Sequence, residues 1–314
     1  MRSKRIEQSS PEEDLREKLW WDENCDLIEK IWAQSIQIQS LIRLPYLKRM
    51  KEFFLKDSNK RVLLVLEIGC GTGWVGRLVA DERVRILGSD FSSGQLKMAL
   101  SKSKEFNVDK WCSYELADAS TFRMEVDGVL IHALLHHLSD QELKLFFFEF
   151  SKIRKGTRIF IYEPVFFYDQ TEKPSILDRV MNRVRYLMQD YVIRFVKWKG
   201  QFDNLLDLQV KKLFDDAEKD GWYLSPKEVP FYEGELEAYL TSSCTIMSKY
   251  IVNRTDLVIA QALTLNRINR PGRLFSRVIL PLAVFVDRLI FKGKFRSFVD
   301  ADQHLFVCFE VIKN

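Results

Sequence analysis

One stretch, Val62 to Gly76, constrains the fold more than any other, and it reads V-L-L-V-L-E-I-G-C-G-T-G-W-V-G. Its first residues form an apolar run typical of a parallel strand that is buried on both faces. Glycines follow at positions 69, 71 and 73, where the backbone can take positive φ angles and approach a ligand closely. The helix expected next presents free N–H groups to the same place. The stretch therefore predicts a nucleotide-binding turn.

Carboxylates near this turn help to choose between nucleotides. The segment Gly71–Gly76 has the G-x-G-x-x-G spacing of dinucleotide enzymes, which is a weak signal alone. Glu67 ends the first strand, Asp90 follows a predicted second strand, and Asp118 follows a third. Carboxylates would repel a pyrophosphate, whereas they suit the sulfonium cation of S-adenosylmethionine. The pattern favours S-adenosylmethionine, with a nicotinamide-dependent oxidoreductase as the alternative.

Five motifs in order along about a hundred residues resemble the class I S-adenosylmethionine-dependent methyltransferases of the small-molecule type. They are E-I-G-C-G-T-G at 67–73, S-D-F-S at 89–92, A-D-A at 117–119, L-H-H-L at 135–138 and K-G-T-R-I-F-I-Y-E-P at 155–164. The resemblance implies that the three glycines surround the methionine part of the cofactor. It also implies Asp90 on the ribose hydroxyls, Phe91 beside the adenine and Asp118 near its amino group. The predicted cofactor contacts are completed by Glu67, Cys70, Trp74, Ala119 and His132.

Methyl transfer needs a base only if the acceptor is a hydroxyl or a carbon acid. His136 and His137 follow the fourth predicted strand, and Glu163 ends the fifth. An imidazole is suited to general-base work near neutral pH, and a carboxylate can orient it, so these three are the candidate catalytic residues. The alternative is that the paired histidines only shape the pocket. The sequence has no cluster of cysteines and histidines that would predict a metal site.

The fold prediction is a doubly wound, mostly parallel seven-stranded α/β sheet of the Rossmann-like methyltransferase type, with helical insertions. It rests on the alternation of apolar runs, glycine turns and helical periodicity after residue 61. The expected organisation is a helical lid (1–60), a cofactor-binding core (61–165), an insertion (166–202), a core helix and strand (203–234), a second helical insertion (235–300) and a last strand (301–314).

Basic and apolar residues alternate in the two insertions. Ser175–Trp198 reads as an amphipathic helix with a basic side, and 267–296 is apolar on nearly every side with arginine and lysine at both ends. Two interpretations of 267–296 stay open: a buried wall of the substrate pocket or of a homodimer interface, and a helix resting on an anionic membrane surface. Both favour a small hydrophobic or lipid-linked acceptor.

Nucleic acid is not expected as a partner. The sequence after the fourth strand is His132-Ala133-Leu134-Leu135 instead of an N-P-P-Y segment, and the net charge is only +4. The charged amino terminus does not resemble a secretory signal, which predicts a cytoplasmic protein, either free or at the inner face of a membrane.

A second alternative to the enzyme is a non-catalytic partner subunit that keeps the methyltransferase fold.

Overall fold

The computed structural model describes residues 7–33, 44–59, 62–122, 125–166, 225–252 and 304–314. The helices in these ranges are α1 (Pro11–Ala33), α2 (Leu44–Leu55), α3 (Trp74–Val79), α4 (Ser93–Glu105), α5 (Asp140–Ser151) and α6 (Glu235–Thr241), with a 3-10 turn at Leu135–His137. The strands are β1 (Leu63–Ile68), β2 (Val84–Asp90), β3 (Cys112–Leu116), β4 (Gly128–His132), β5 (Arg158–Phe166), β6 (Phe231–Tyr232), β7 (Cys244–Val252) and β8 (His304–Lys313).

One open sheet organises these elements, with the strand order β3-β2-β1-β4-β5-β8-β7, and β6 pairs with the end of β5. Strands β1 to β5 run parallel, whereas β8 is antiparallel to both of its neighbours. The order reverses at β1, where the chain crosses from one side of the sheet to the other. In open α/β sheets, ligands bind beyond the carboxyl ends of the strands at such a switch point.

The sheet is buried on both faces, which explains the uninterrupted apolar runs of its central strands. One face packs against α5 and α6 through side chains such as Phe146, Phe150 and Leu236. The other face packs against α2 and α3 through Leu47, Met50 and their neighbours. Because the packing layers are complete on both sides of β1 and β4, the ends of these strands are held at fixed positions.

Side-chain caps fix where the helices begin. Ser10 and Glu13 cap each other reciprocally at the start of α1, and Ser92 accepts a hydrogen bond from the Gln95 N–H at the start of α4. Ser139 forms a capping box with Glu142 at the start of α5. These polar residues satisfy N–H groups that a helix start otherwise leaves unpaired. The three helices therefore begin at Pro11, Ser93 and Asp140.

The predicted fold class is confirmed, but one domain boundary is wrong. The second insertion was expected from residue 235, yet α6 and β7 occupy 235–252 and belong to the core, where β7 pairs with β8. Residues 244–252 read C-T-I-M-S-K-Y-I-V, in which polar residues in an apolar run are typical of a strand near a sheet edge. The predicted helices at 175–198 and 267–296 lie outside the described residues.

None of the helices in the described ranges combines the length and the apolar character that crossing a bilayer requires.

Candidate functional site

The glycine turn after β1 has the backbone that the sequence predicts. Gly69, Gly71 and Gly73 take φ angles of 65°, 53° and 70°. These angles lie in the left-handed region that only glycine enters without strain. A Cβ on Gly69 would collide with the side chain of Leu134, and one on Gly73 would collide with Tyr114. The turn is therefore pressed between its neighbours at both ends, while a Cβ on Gly71 would meet only Gln95 Oε1 at 3.6 Å.

Asp90, the last residue of β2, is locked against this turn. One carboxylate oxygen accepts a hydrogen bond from the Gly71 N–H at 2.8 Å, and the other accepts one from the Ser92 N–H at 2.9 Å. Burial raises its pKa to about 6, although these backbone donors oppose the shift. The group is thus mostly ionised at neutral pH. Each oxygen retains a lone pair, so the fixed carboxylate can accept hydrogen bonds from a ribose.

Two buried acceptors beside the turn show that the site fits a polar ligand. Thr72 Oγ1 and Gln95 Oε1 are buried, and neither has a hydrogen-bond partner in the described part of the chain. Buried polar atoms are normally paired, so unpaired ones around a glycine turn indicate groups that a ligand would satisfy. Together with Asp90 they fit the ribose and amino groups of S-adenosylmethionine.

The charge pattern around the turn differs from the one expected. Glu67 is almost fully buried under Gly76 of α3, and burial raises its pKa to about 8, so it is largely neutral at pH 7. Asp118 is exposed to solvent. The expectation of a charged carboxylate is therefore wrong for Glu67, whereas the Asp90 carboxylate contacts the turn. The role of Glu67 and Asp118 in binding stays a prediction.

The other predicted cofactor residues surround the same turn. The Cys70 thiol is buried and faces Gly88 of β2, which leaves the Cys70 backbone at the turn. Phe91 is partly exposed directly after Asp90, and Ala119 packs on the core beyond β3. Trp74 opens α3. These positions place all of them at the carboxyl edge of the sheet, and their contacts with the cofactor stay predictions.

Helix α1 contacts the loop after β2 directly and the glycine turn through Arg77. Asp22 Oδ1 accepts hydrogen bonds from Ser92 Oγ at 2.5 Å and from the Gly94 N–H at 2.8 Å. Further along the helix, Glu29 forms a buried ion pair with Arg77, whose guanidinium also donates to the Thr72 carbonyl in the glycine turn. These charged groups therefore hold the helix against the cofactor loops.

His136 lies in the inner part of the loop after β4 and is held by the sheet. Its Nδ1 lies 2.7 Å from Glu163 Oε2, and its Nε2 lies 3.6 Å from Glu228 Oε1. Glu163 Oε1 also accepts hydrogen bonds from the N–H groups of Leu134 and Leu135 at 2.9 and 2.7 Å. Burial raises the Glu163 pKa to about 7, with these backbone donors opposing the shift. The pair fixes the shape of the loop.

His137, the next residue, is held by a carboxylate that the sequence did not identify. Its Nδ1 lies 3.2 Å from Glu17 Oε1 of α1 and 3.0 Å from Ser225 Oγ. Only the predicted His136 and Glu163 come together directly, and His137 has Glu17 in place of Glu163. Nothing in the sequence pattern of α1 distinguishes Glu17 from the other acids of that helix.

His132, at the end of β4, stacks within a group of aromatic rings. Its ring lies parallel to Tyr162 at 4.2 Å between centroids, and Tyr162 stacks on Phe306 at 4.8 Å. Trp74 meets the His132 ring edge-on at 5.1 Å. Tyr46 of α2 places its hydroxyl 3.2 Å from His132 Nε2. This aromatic wall (Tyr46, Trp74, His132, Tyr162 and Phe306) borders the glycine turn on the α2 and α3 side of the sheet.

Comparisons with known proteins agree with this fold. Residues 65–156 match the family model of a methyltransferase domain. The fold is similar to that of the [4+2]-cyclase SpnF, with a TM-score of 0.54, 12% identity, and 94% of each chain covered. It is also similar to phosphoethanolamine N-methyltransferase 2 of Haemonchus contortus in complex with S-adenosyl-L-methionine, with a TM-score of 0.52 and 16% identity. There the match covers 97% of this chain and 60% of the other. No curated protein matches the chain.

The matched region contains the glycine turn, Asp90 and both loop histidines, so residues 65–156 form a methyltransferase domain. Identities of 12% and 16% carry the architecture alone, so they do not indicate the acceptor.

Proposed function

We propose that this enzyme transfers the methyl group of S-adenosylmethionine to a small hydrophobic or lipid-linked acceptor. The cofactor supplies an electrophilic methyl group on a positively charged sulfur. The protein then has to align the acceptor with that methyl group and exclude water. The observation that carries the proposal is the aromatic wall beside the glycine turn.

The aromatic wall offers an apolar surface directly beside the glycine turn. Trp74, His132 and Phe306 are only partly buried, although they pack against fully buried neighbours. Partly exposed stacked rings next to a cofactor site gain free energy when an apolar or aromatic acceptor covers them. This surface favours an acceptor with a hydrophobic body over a small polar metabolite.

The described residues that border the two long insertions support the same proposal. Phe166 ends β5 and pairs with His304 at the start of β8, while Val252 ends β7 and pairs with Phe306. These described ends of β5, β7 and β8 thus lie at the edge of the sheet that carries the aromatic wall. The alternating basic and apolar residues of the two insertions suit an amphiphilic acceptor with a hydrophobic part and an anionic head group. Contact of 267–296 with a membrane surface or with a second copy belongs to this proposal.

The three candidate catalytic residues divide into two roles in this proposal. His136 and Glu163 are buried and paired with each other, so they hold the loop in shape. His137 is the base for a hydroxyl or carbon-acid acceptor, because its side chain keeps 12% exposure against 4% for His136.

Incubation of the purified enzyme with methyl-tritiated cofactor and a cell extract, followed by organic extraction, tests the proposal. Label in the organic phase is the expected result, and label confined to protein or RNA would reject the acceptor class. Asp90→Asn should abolish the labelling, whereas the matched surface change Asp109→Asn should not, since Asp109 is exposed.

A further inference from the structure

Glu17 is the most heavily bonded carboxylate of α1. Its Oε1 accepts hydrogen bonds from Trp21 Nε1 at 2.8 Å and from Ser225 Oγ at 2.9 Å, and it lies 3.2 Å from His137 Nδ1. Its Oε2 accepts the backbone N–H of Lys227 at 3.1 Å. Glu17 is only 4% exposed. A buried carboxylate with four donors is stable in its charged form.

The surrounding groups hold Glu17 in this position. Lys227 Nζ donates to Asp14 of α1 at 2.8 Å and to both oxygens of Glu142 at the start of α5, at 3.0 and 2.9 Å. One lysine therefore ties the first turns of α1 to the capping box of α5. Glu17 lies one turn further along α1 than Asp14. The contacts of Lys227 therefore also fix the position of the Glu17 carboxylate relative to His137.

The two ring nitrogens of His137 have different surroundings. Nδ1 is engaged by Glu17 and Ser225, and the Trp21 ring meets the imidazole edge-on at 5.4 Å. Within the described ranges, no group hydrogen-bonds its Nε2. His136 differs, because carboxylates flank both of its nitrogens. A ring anchored at one nitrogen and open at the other is arranged to exchange a proton at the open one.

We infer that Glu17 is the positioning residue for His137. Its carboxylate anchors Nδ1 and fixes the ring, which leaves Nε2 free to take the proton from the substrate that is methylated. Its location on α1 makes this arrangement complete only when α1 is packed on the site. The catalytic consequence rests on the proposed function, whereas the pairing itself does not.

The charged groups around His137 set the direction of its titration. Burial by itself would lower the His137 pKa, but the hydrogen bond and charge of Glu17, together with the charges of Glu228 and Glu163, raise it above the ordinary value. The Glu17 pKa is lowered in turn: burial opposes this most strongly, but the hydrogen bonds from His137, Trp21 and Ser225 and the charge of His137 together outweigh it. The other charged neighbour is Lys227, whose ammonium is already bonded to Asp14 and Glu142, and the His136 ring lies 4.1 Å away.

The chemistry balances with the neutral form of His137. Nε2 takes the proton of the acceptor hydroxyl, the oxygen lone pair forms the bond to the methyl carbon, and the carbon–sulfur bond breaks with its electron pair going to sulfur. The positive charge of the donor thus ends on the imidazole, which the Glu17 carboxylate stabilises, and the proton then leaves to solvent.

Nuclear magnetic resonance titration of the histidine rings tests the inference without any acceptor. The chain has four histidines, so single substitutions assign their signals. The His137 midpoint should lie above the ordinary value in the wild type and fall by about 1 to 2 pH units in Glu17→Gln, because an adjacent opposite charge shifts a pKa by this amount. The matched variant Glu23→Gln, on an exposed position of the same helix, should leave the midpoint where it is.

A midpoint in Glu17→Gln equal to those of the wild type and Glu23→Gln would overturn the inference. If Glu17→Gln does not fold, Glu17→Asp carries the test, since the shorter side chain keeps the charge but not the reach to Nδ1. The midpoint should again fall, and an unchanged value would overturn the inference. Glu29→Gln, which loosens α1 at Arg77, should not move it and so separates pairing from general loosening of the helix.

The pH profile of methyl transfer gives a second readout once an acceptor is in hand. Its ascending limb should move to lower pH in Glu17→Gln, and kcat should fall about tenfold or more. A limb that stays in place would contradict the positioning role. If the ring titration shifts but no acceptor is methylated, the proposed function fails and the pairing stands. If an acceptor is methylated but the His137 midpoint does not shift in Glu17→Gln, only the pairing is rejected.

Discussion

His136 and His137 are adjacent, and each is paired with a buried glutamate, yet the two pairs are supported by different parts of the molecule. The glutamate of the inner pair, Glu163, comes from β5 in the middle of the sheet. The glutamate of the outer pair, Glu17, comes from α1, about 120 residues away in the sequence from its histidine. The sheet cannot move without unfolding, whereas a packed helix can separate locally. The inner pair is therefore held by the sheet itself, whereas the outer pair depends on the packing of α1.

The largest expected effect breaks the inner pair. Glu163→Ala leaves His136 and the N–H groups of Leu134 and Leu135 without their acceptor, and should lower the free energy of unfolding by about 3 to 5 kcal/mol. Urea unfolding measures this loss. Glu149→Ala, which removes a surface ion pair with Lys152, is the control and should cost less than about 0.5 kcal/mol. Equal losses in the two variants would show that Glu163 is not a structural element.

A buried carboxylate on strand β1 sharpens the comparison, because Glu67 has no histidine partner among the described residues. Its pKa is raised by burial to about 8 in the folded state, against 4.5 for an unperturbed glutamate. The folded state thus holds a proton that the unfolded state releases, and stability should decrease as pH rises from about 4.5, by about 3 kcal/mol at pH 7. Glu67→Gln should remove this slope in denaturant unfolding at several pH values. An unchanged slope would contradict the assignment.

Alanine substitution of each histidine separates the two pairs directly. His136→Ala leaves a fully buried carboxylate facing a cavity and should cost about 2 to 3 kcal/mol. His137→Ala should cost only about 1 kcal/mol, since Glu17 keeps its hydrogen bonds from Trp21, Ser225 and Lys227. Unfolding measurements at pH 7 compare them, and a larger loss for His137→Ala would reverse the roles given to the two residues.

The smallest effect concerns the turn that aims both histidines. Ala133 takes a φ of 54°, which strains a side chain with a Cβ. Ala133→Gly should relieve this strain and stabilise the protein by up to about 1 kcal/mol. The greater conformational entropy of glycine in the unfolded chain offsets part of this gain. Ala99→Gly, in the buried face of α4, should instead destabilise by about 1 kcal/mol or more. Destabilisation by both changes would mean that the angle at Ala133 is unstrained.

The comparison also shows what local sequence can and cannot predict. The strand and turn at Leu63–Gly73 and the position of Asp90 follow from periodicity and glycine spacing, which act over a few residues. The Glu17 contact depends on how α1 lies across the sheet, and no pattern within α1 encodes that. The charge of Glu67 was misjudged because burial, not residue type, sets its pKa. Strand β7 was missed because its polar positions suited a helical insertion equally well.

Calorimetric titration of the purified protein with S-adenosylmethionine tests the central claim most directly. The account predicts saturable binding at one site. The affinity should fall by a factor of about 10 to 100 in Asp90→Asn, because the ribose hydroxyls lose a charged acceptor. It should be unchanged in Asp109→Asn. Tight binding of NADH, with no heat from S-adenosylmethionine, would contradict it.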